Sequence, residues 1–340
     1  MAIRNILIVK LSAIGDVIHA LPVAHALKVQ FPEAKITWVV EPPAYNLLEG
    51  NPYIDEIILF EKKNFKSLAG FAKEIRPFAA KLREKKYDVA LDLQGLFKSA
   101  AIVWLSRAQK KLGCCNMREG SDRVSTPVIG PHADGHIVER YLDVVRSLGC
   151  KVEKAVFSVG ITERDEDLAK KIMAQAGASM ENPYVVLAVG TNWPNKRWPT
   201  KYFAQLVDWL YNKNIIPVII GGGSVDERLA GEIAAAAQIP PVNLVGKTTL
   251  RQLAYIIEKS KVMFGGDTGP VHLGAGLGVP TLMVMGPTDA KRNGPYGQLA
   301  NAIEVDYSCK HCWKRQCRMD RDCLEGIKAQ VVCDALQKLL

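Results

Sequence analysis

Short apolar runs recur along the chain, each followed by a polar turn and then by apolar positions three or four residues apart. In the first half the runs are Ile6–Val9, Lys35–Val40, Glu56–Phe60 and Val89–Leu93. In the second they are Tyr184–Val189, Ile215–Gly221, Val262–Gly265 and Thr281–Met285. Runs without polar alternation suit strands buried on both faces, as in parallel sheets. The intervening periodicity predicts helices near 17–31, 65–86, 97–108, 201–212, 226–238, 250–259 and 270–277. Strand and helix alternating in this way imply an α/β fold of two doubly wound, Rossmann-like domains. The polar stretch 162–182 separates them and holds one connecting helix, which leaves domains at 1–161 and 183–323. A last helix, 324–340, spaces Ile327, Val331, Ala335 and Leu339 by four and is expected to pack back on the first domain. Two such domains facing each other line a cleft with the carboxyl ends of their strands.

The chain has 340 residues, ample for two cores, and its 48% hydrophobic and 23% charged residues are ordinary for a globular protein. The first apolar run ends at Lys10, too soon for a signal peptide, and the uncharged stretch 268–288 is broken by glycines and prolines. A cytoplasmic protein is therefore expected. The net charge of +9 favours anionic partners. Most of it lies between Glu61 and Lys86, where nine basic residues, Lys66 among them, meet three acids. Phe65, Leu68, Phe71, Ile75, Phe78 and Leu82 repeat there at helical spacing, with Pro77 expected to kink or divide the helix. Two readings stand: a surface helix docked on its own domain, or a mobile element meeting a lipid headgroup or phosphorylated acceptor. Nucleic acid is disfavoured, because the aromatics share one helical face instead of interleaving with cations on a sheet.

Three loops carry chemistry. In "FGGDTGPVHLGAG" a strand runs into Asp267 and Thr268, and Gly269–Pro270 open a helix. Proline suits the first turn, and the free N–H groups there, with the helix dipole, make an anion site fit for a pyrophosphate. Asp267 would repel phosphate and suits sugar hydroxyls; His272 suits phosphate or sugar. The plainer alternative is a capping aspartate and a packed histidine. In "VGTNWPNKRWP" the Thr191 hydroxyl and the Lys196 ammonium suit phosphate oxygens. In "IIGGGSVDE" glycines permit close backbone approach, and Asp226 or Glu227 suits a ribose hydroxyl. Neither half shows G-x-G-x-x-G after a strand, so a hydride-transfer Rossmann enzyme fits badly.

The first loop, "KLSAIGDVIHALP", puts Asp16 where a nucleotide-binding turn would need bare backbone. Together with "LDLQGLFKSA", "NKRWP" and "GGDTGPVHLGAGLGVPTLMVMGPTD" it resembles glycosyltransferase family 9, the ADP-heptose:lipopolysaccharide heptosyltransferases, in order from residue 3 to about 290. The resemblance implies a GT-B fold and an inverting, metal-independent transfer of heptose to the Kdo-containing inner core of lipid A. Asp16 would then be the general base that takes the acceptor hydroxyl's proton; as a simple helix cap it would do none of this. Lys196 and Thr191 would hold the pyrophosphate, with backbone contacts from Thr268 and Gly269. Asp267 and His272 would lie near the heptose, Asp226 or Glu227 near the ribose, and Thr248 of "GKTTL" near adenine. Lys98, Arg118 and Arg123 would meet Kdo carboxylates and lipid A phosphates, with the protein touching the inner membrane face peripherally. The alternatives are another nucleotide sugar or acceptor, or nucleotide-sugar binding without turnover.

Eight cysteines include Cys309, Cys312, Cys317 and Cys323, spaced C-x2-C-x4-C-x5-C. That spacing is open to a zinc or iron–sulfur site, a redox pair or plain thiols. No cofactor is required by the expected transfer.

Overall fold

The computed structural model describes residues 3–65, 67–319 and 321–340. The chain divides into two compact units, Met1–Gly160 and Ile161–Leu340. In the first, the parallel strands are β1 (Asn5–Val9), β2 (Lys35–Val40), β3 (Glu56–Leu59), β4 (Val89–Asp92), β5 (Lys110–Gly113) and β6 (Thr126–Pro127). In the second they are β7 (Tyr184–Ala188), β8 (Ile216–Ile220), β9 (Val242–Asn243), β10 (Val262–Gly266), β11 (Thr281–Met285) and β12 (Ala302–Glu304). The sheets are ordered β3-β2-β1-β4-β5-β6 and β12-β11-β10-β7-β8-β9. Counted from its own first strand, each sheet reads 3-2-1-4-5-6, the doubly wound order, with its switch point between the first and fourth strands. The expected central strands are all present because their residues are buried throughout, as in "ILIV" and "TLMVM". The edge strands β6, β9 and β12 and the neighbouring β5 are additions; "KKLG", "TP", "VN" and "AIE" are too short or too polar for a periodic signal.

Helix Ile14–Gln30 begins three residues before the expected start, and helix Ile137–Arg146 was not anticipated. The connecting helix is Glu163–Gln175, capped by Thr162 and counted with the second unit. Helix Leu68–Leu82 runs through Pro77 undivided. Its Phe78 meets Phe60 of the same unit edge-on at 5.5 Å and the preceding Phe65 stacks on Phe60 at 4.9 Å, while Leu68 and Phe71 remain exposed. That is the docked reading for most of the aromatic face. Lys66 lies outside the described residues. Lys81 and Lys85 are taken up by Glu56.

The final helix, Ala329–Gln337, corrects one expectation. It packs on helix Thr200–Asn212 of the second unit, where Val332, Cys333 and Leu336 join the core that contains Trp198, Phe203 and Leu206. Four-residue spacing says that one face is buried, not against what. Trp198 is the anchor: its indole N–H donates to the Ile327 carbonyl at 2.8 Å and its ring meets Phe264 edge-on at 5.1 Å. Among the described residues no helix is long and apolar enough to cross a membrane.

Candidate functional site

In the second unit the loops after β10, β7, β8 and β9 emerge side by side, because those strands are neighbours in the sheet. Asp267 stands at the switch point between β10 and β7, and three side chains share its carboxylate. Oδ2 lies 2.6 Å from Lys196 Nζ and accepts the Thr288 hydroxyl at 2.7 Å; Oδ1 lies 2.8 Å from His272 Nε2. Asp267, His272 and Thr288 are all buried. Burial alone would push the Asp267 carboxyl up. The hydrogen bond and charge of His272, with Lys196, outweigh it and hold the group well below the usual carboxylate range. A carboxylate has about four acceptor positions, so most of Asp267 is committed to orienting protein donors.

Lys196 ends the tight turn Pro194–Lys196, and its ammonium sits 4.4 Å from the centre of the Trp193 ring. With one N–H on Asp267, two remain for an anion. The turn lies directly on the end of β10: a Cβ at Gly266 would come 2.3 Å from the Lys196 carbonyl oxygen. Glycine there is a requirement of close approach. Thr191 is buried, and its hydroxyl donates to the Trp193 carbonyl at 2.6 Å. In this conformation the hydroxyl offers lone pairs, and its proton is spent holding the turn.

Thr268 caps helix Gly269–Gly276, with Val271 and His272 N–H returning to the Thr268 carbonyl at 3.1 and 3.2 Å. Thr268, Gly269 and Pro270 are half-buried. Pro270 has no N–H, so the amide left for a ligand at the start of this helix is that of Gly269, two residues from Asp267. On the other side of β7, Asp226 accepts the Gly222 N–H at 2.7 Å. It fills the space where Gly190 and Gly221 lack side chains. Of the pair proposed for ribose, Asp226 therefore pins the glycine turn, while the exposed Glu227 carboxylate faces Gly246. Thr248 is half-buried two residues beyond Gly246, whose N–H donates to the Gly221 carbonyl.

In the first unit Asp16 is the third residue of helix Ile14–Gln30, half-buried, and accepts the Ala13 N–H at 3.3 Å. The loop before it is held from β4: Gln94 Oε1 accepts the Leu11 and Ser12 N–H groups at 3.1 and 3.2 Å. Buried Asp92 in turn accepts from Gln94 and Gly95, and burial raises its carboxyl above the ordinary value. Lys98 is paired with Glu41 at 2.6 Å and lies 3.4 Å from the Ser12 hydroxyl, so its charge is already partnered. Arg118 reaches the same loop set through its N–H on the Gly95 carbonyl, with its side chain exposed; Arg123 is exposed on the turn Ser121–Arg123. Thr288, Gln94 and Glu41 are contributors that sequence reasoning missed. Thr288 and Gln94 lie within quoted motifs, but no linear spacing shows what they touch.

The cysteines are unpaired. Cys309 and Cys312 are exposed, Cys317 is half-buried, and burial first, then the neighbouring thiols, pushes Cys323 up to about 11. Arg321 donates to Cys309 Sγ at 3.3 Å. Among the described residues the group whose ligand atoms converge is a different one, Asp289, Glu304 and His311.

Each doubly wound unit thus carries charge at the loop after its first strand, the Lys196 ammonium in the second and the Asp16 carboxylate in the first. Residues 75–322 match the model of glycosyltransferase family 9 (heptosyltransferase). The chain is 31% identical over 331 residues to lipopolysaccharide heptosyltransferase 1 of Pseudomonas aeruginosa, covering 92% of this chain and 87% of that one. The crystal structure of a family 9 glycosyltransferase from Veillonella parvula superposes with a TM-score of 0.86 at 25% identity, covering 99% and 97%. E. coli heptosyltransferase WaaC with ADP-2-deoxy-2-fluoro heptose does so at 0.73 and 25%, covering 99% and 100%. This chain belongs to glycosyltransferase family 9 and has the GT-B fold of its solved members.

Proposed function

We propose that the protein transfers heptose from ADP-heptose to the Kdo- or heptose-bearing inner core of lipopolysaccharide, working at the cytoplasmic membrane face as a peripheral protein. The observation that carries the reading is the Lys196–Asp267 pair beside the start of helix Gly269–Gly276. It is an oriented cation near the Gly269 amide, which suits a leaving diphosphate. Family membership and the ADP-sugar analogue in a solved relative point to the same donor. Lys196 and the Thr268–Gly269 amides take the pyrophosphate, Glu227 the ribose and Thr248 the base. Asp267 and His272 border the sugar.

The acceptor hydroxyl attacks the anomeric carbon as its bond to the phosphate oxygen breaks. The proton passes to Asp16, the electron pair leaves with ADP, and the anomeric centre inverts. Gln94 keeps the loop before Asp16 in place, and Arg118 and Arg123 offer charge to acceptor carboxylates or phosphates. Lys98 contributes through Glu41 and Ser12. No step in this scheme uses a metal ion.

The test is ADP release from ADP-heptose with and without deacylated Kdo-lipid A, for the wild type and Asp16→Asn. The reading expects acceptor-dependent release that falls at least 100-fold in the variant, with ADP-heptose affinity unchanged. Release by the variant at the wild-type rate would remove Asp16 as the base, and absence of ADP-heptose binding would remove the donor.

A further inference from the structure

Three ligand-bearing side chains outside this scheme meet at the end of β11. Asp289, Glu304 and His311 each present one ligand atom, all within 4.8 Å of one another, and all three are half-buried. They come from separate places: the loop after β11, the last residue of β12, and a turn seven residues further on. The turn is docked by backbone bonds, His311 N–H to the Gly286 carbonyl at 2.9 Å and Trp313 N–H to the Pro287 carbonyl at 2.8 Å. His311 and Trp313 both have left-handed backbones, φ 61° and 55°, which non-glycine residues seldom adopt.

The imidazole is aimed at Glu304, with Nε2 2.6 Å from Oε1. Glu304 Oε1 also accepts the Ala290 N–H at 3.1 Å, and Asp289 Oδ1 the Lys291 N–H at 2.8 Å. Both carboxylates are thus oriented by main chain, as the ligands of a metal site are by their outer partners.

We propose that Asp289, Glu304 and His311 bind a divalent transition-metal ion. One imidazole and two carboxylates suit borderline or hard ions such as Zn²⁺ or Mn²⁺. Ligands about 2.0–2.2 Å from a tetrahedral ion stand roughly 3.4 Å apart, so side-chain rotations suffice to close the present spacing. Lys310, 4.0 Å from Glu304 Oε2, is largely exposed and gives way to solvent when the ion replaces its charge. The ion ties the β11 loop to β12 and to the 309–313 turn. Residue 288, next to a ligand, is the threonine that holds Asp267, so the ion braces the donor side without touching it. The four clustered cysteines take no part.

The test is calorimetric titration of the full-length, chelator-stripped protein with Zn²⁺ and, separately, Mn²⁺, alongside thermal unfolding. One equivalent of at least one ion should bind and raise Tm. Glu304→Gln and His311→Ala should each weaken binding at least tenfold, with circular dichroism and ADP binding reporting that they fold. The quadruple Cys→Ser variant at 309, 312, 317 and 323 should bind as the wild type does. Absence of saturable binding overturns the proposal, as does wild-type affinity in both ligand variants. Binding lost only in the cysteine variant assigns the ion to the thiols and overturns it equally. None of these readouts depends on glycosyl transfer.

Discussion

Lys196 and Asp267, seventy-one residues apart, form an ion pair 2.6 Å long whose side chains are only 12% and 5% exposed. Asp267 thereby sets the direction of the Lys196 ammonium at the β7–β10 switch point. Removing the charge of Asp267 leaves the Lys196 ammonium without its counter-charge and weakens the contacts to His272 and Thr288.

Asp267→Asn is therefore expected to cost about 3–5 kcal/mol of stability, the usual penalty for breaking a buried pair. ADP affinity should fall with it. Urea unfolding and ADP titration check the two effects. A loss below 1 kcal/mol would mean that the cluster carries little of the fold.

Gly266→Ala probes the close approach. The new Cβ would meet the Lys196 carbonyl at 2.3 Å, a backbone atom that cannot rotate away. The turn must lift off β10, at about 1–3 kcal/mol for overpacking, and ADP binding should weaken because Lys196 moves. A variant as stable as the wild type with unchanged ADP affinity would show that the turn has slack.

Trp198→Ala should cost about 3–5 kcal/mol, since it removes the ring between Phe203 and Phe264 and the hydrogen bond to Ile327. The C-terminal segment should then exchange its amide protons faster than the rest of the unit. Hydrogen exchange resolved by segment tests this, and uniform protection loss would contradict a local clamp.

A pH dependence follows from Asp55. Burial would raise its carboxyl, but Lys28, the Ile36 N–H and Lys35 outweigh it and lower it to about 2. A group depressed in the folded state stabilises fully above its unfolded value, about 3.9, and loses that contribution as pH falls toward 2. With solvent screening, it is worth about 1–2 kcal/mol. The stability gap between the wild type and Asp55→Asn should hold from pH 7 to 5 and shrink below pH 4. A gap already closing between pH 7 and 5 would point to another group.

The sequence by itself determined the α/β alternation and the central strands of both sheets. Strands covered on both faces must be apolar at every position, so "ILIV", "VVLA" and "TLMVM" declare themselves without a partner in view. It also determined which loops carry charge and glycine at strand ends, and through motifs in order it pointed to the family. Short outer strands such as "KKLG" and "AIE" left no such mark, because they are only partly buried and three or four residues long. The tertiary structure alone decided what each loop side chain touches. Asp267, read in the chain as suited to sugar hydroxyls, is also the hub for Lys196, His272 and Thr288. Asp226 proved to be the pin of the glycine turn, Lys98 the partner of Glu41, and the last helix a layer of the second unit. The physical reason is common to all four. Periodicity and local spacing report how a segment meets a surface, whereas the identity of the partner depends on strand order, which brings together residues that the chain keeps far apart.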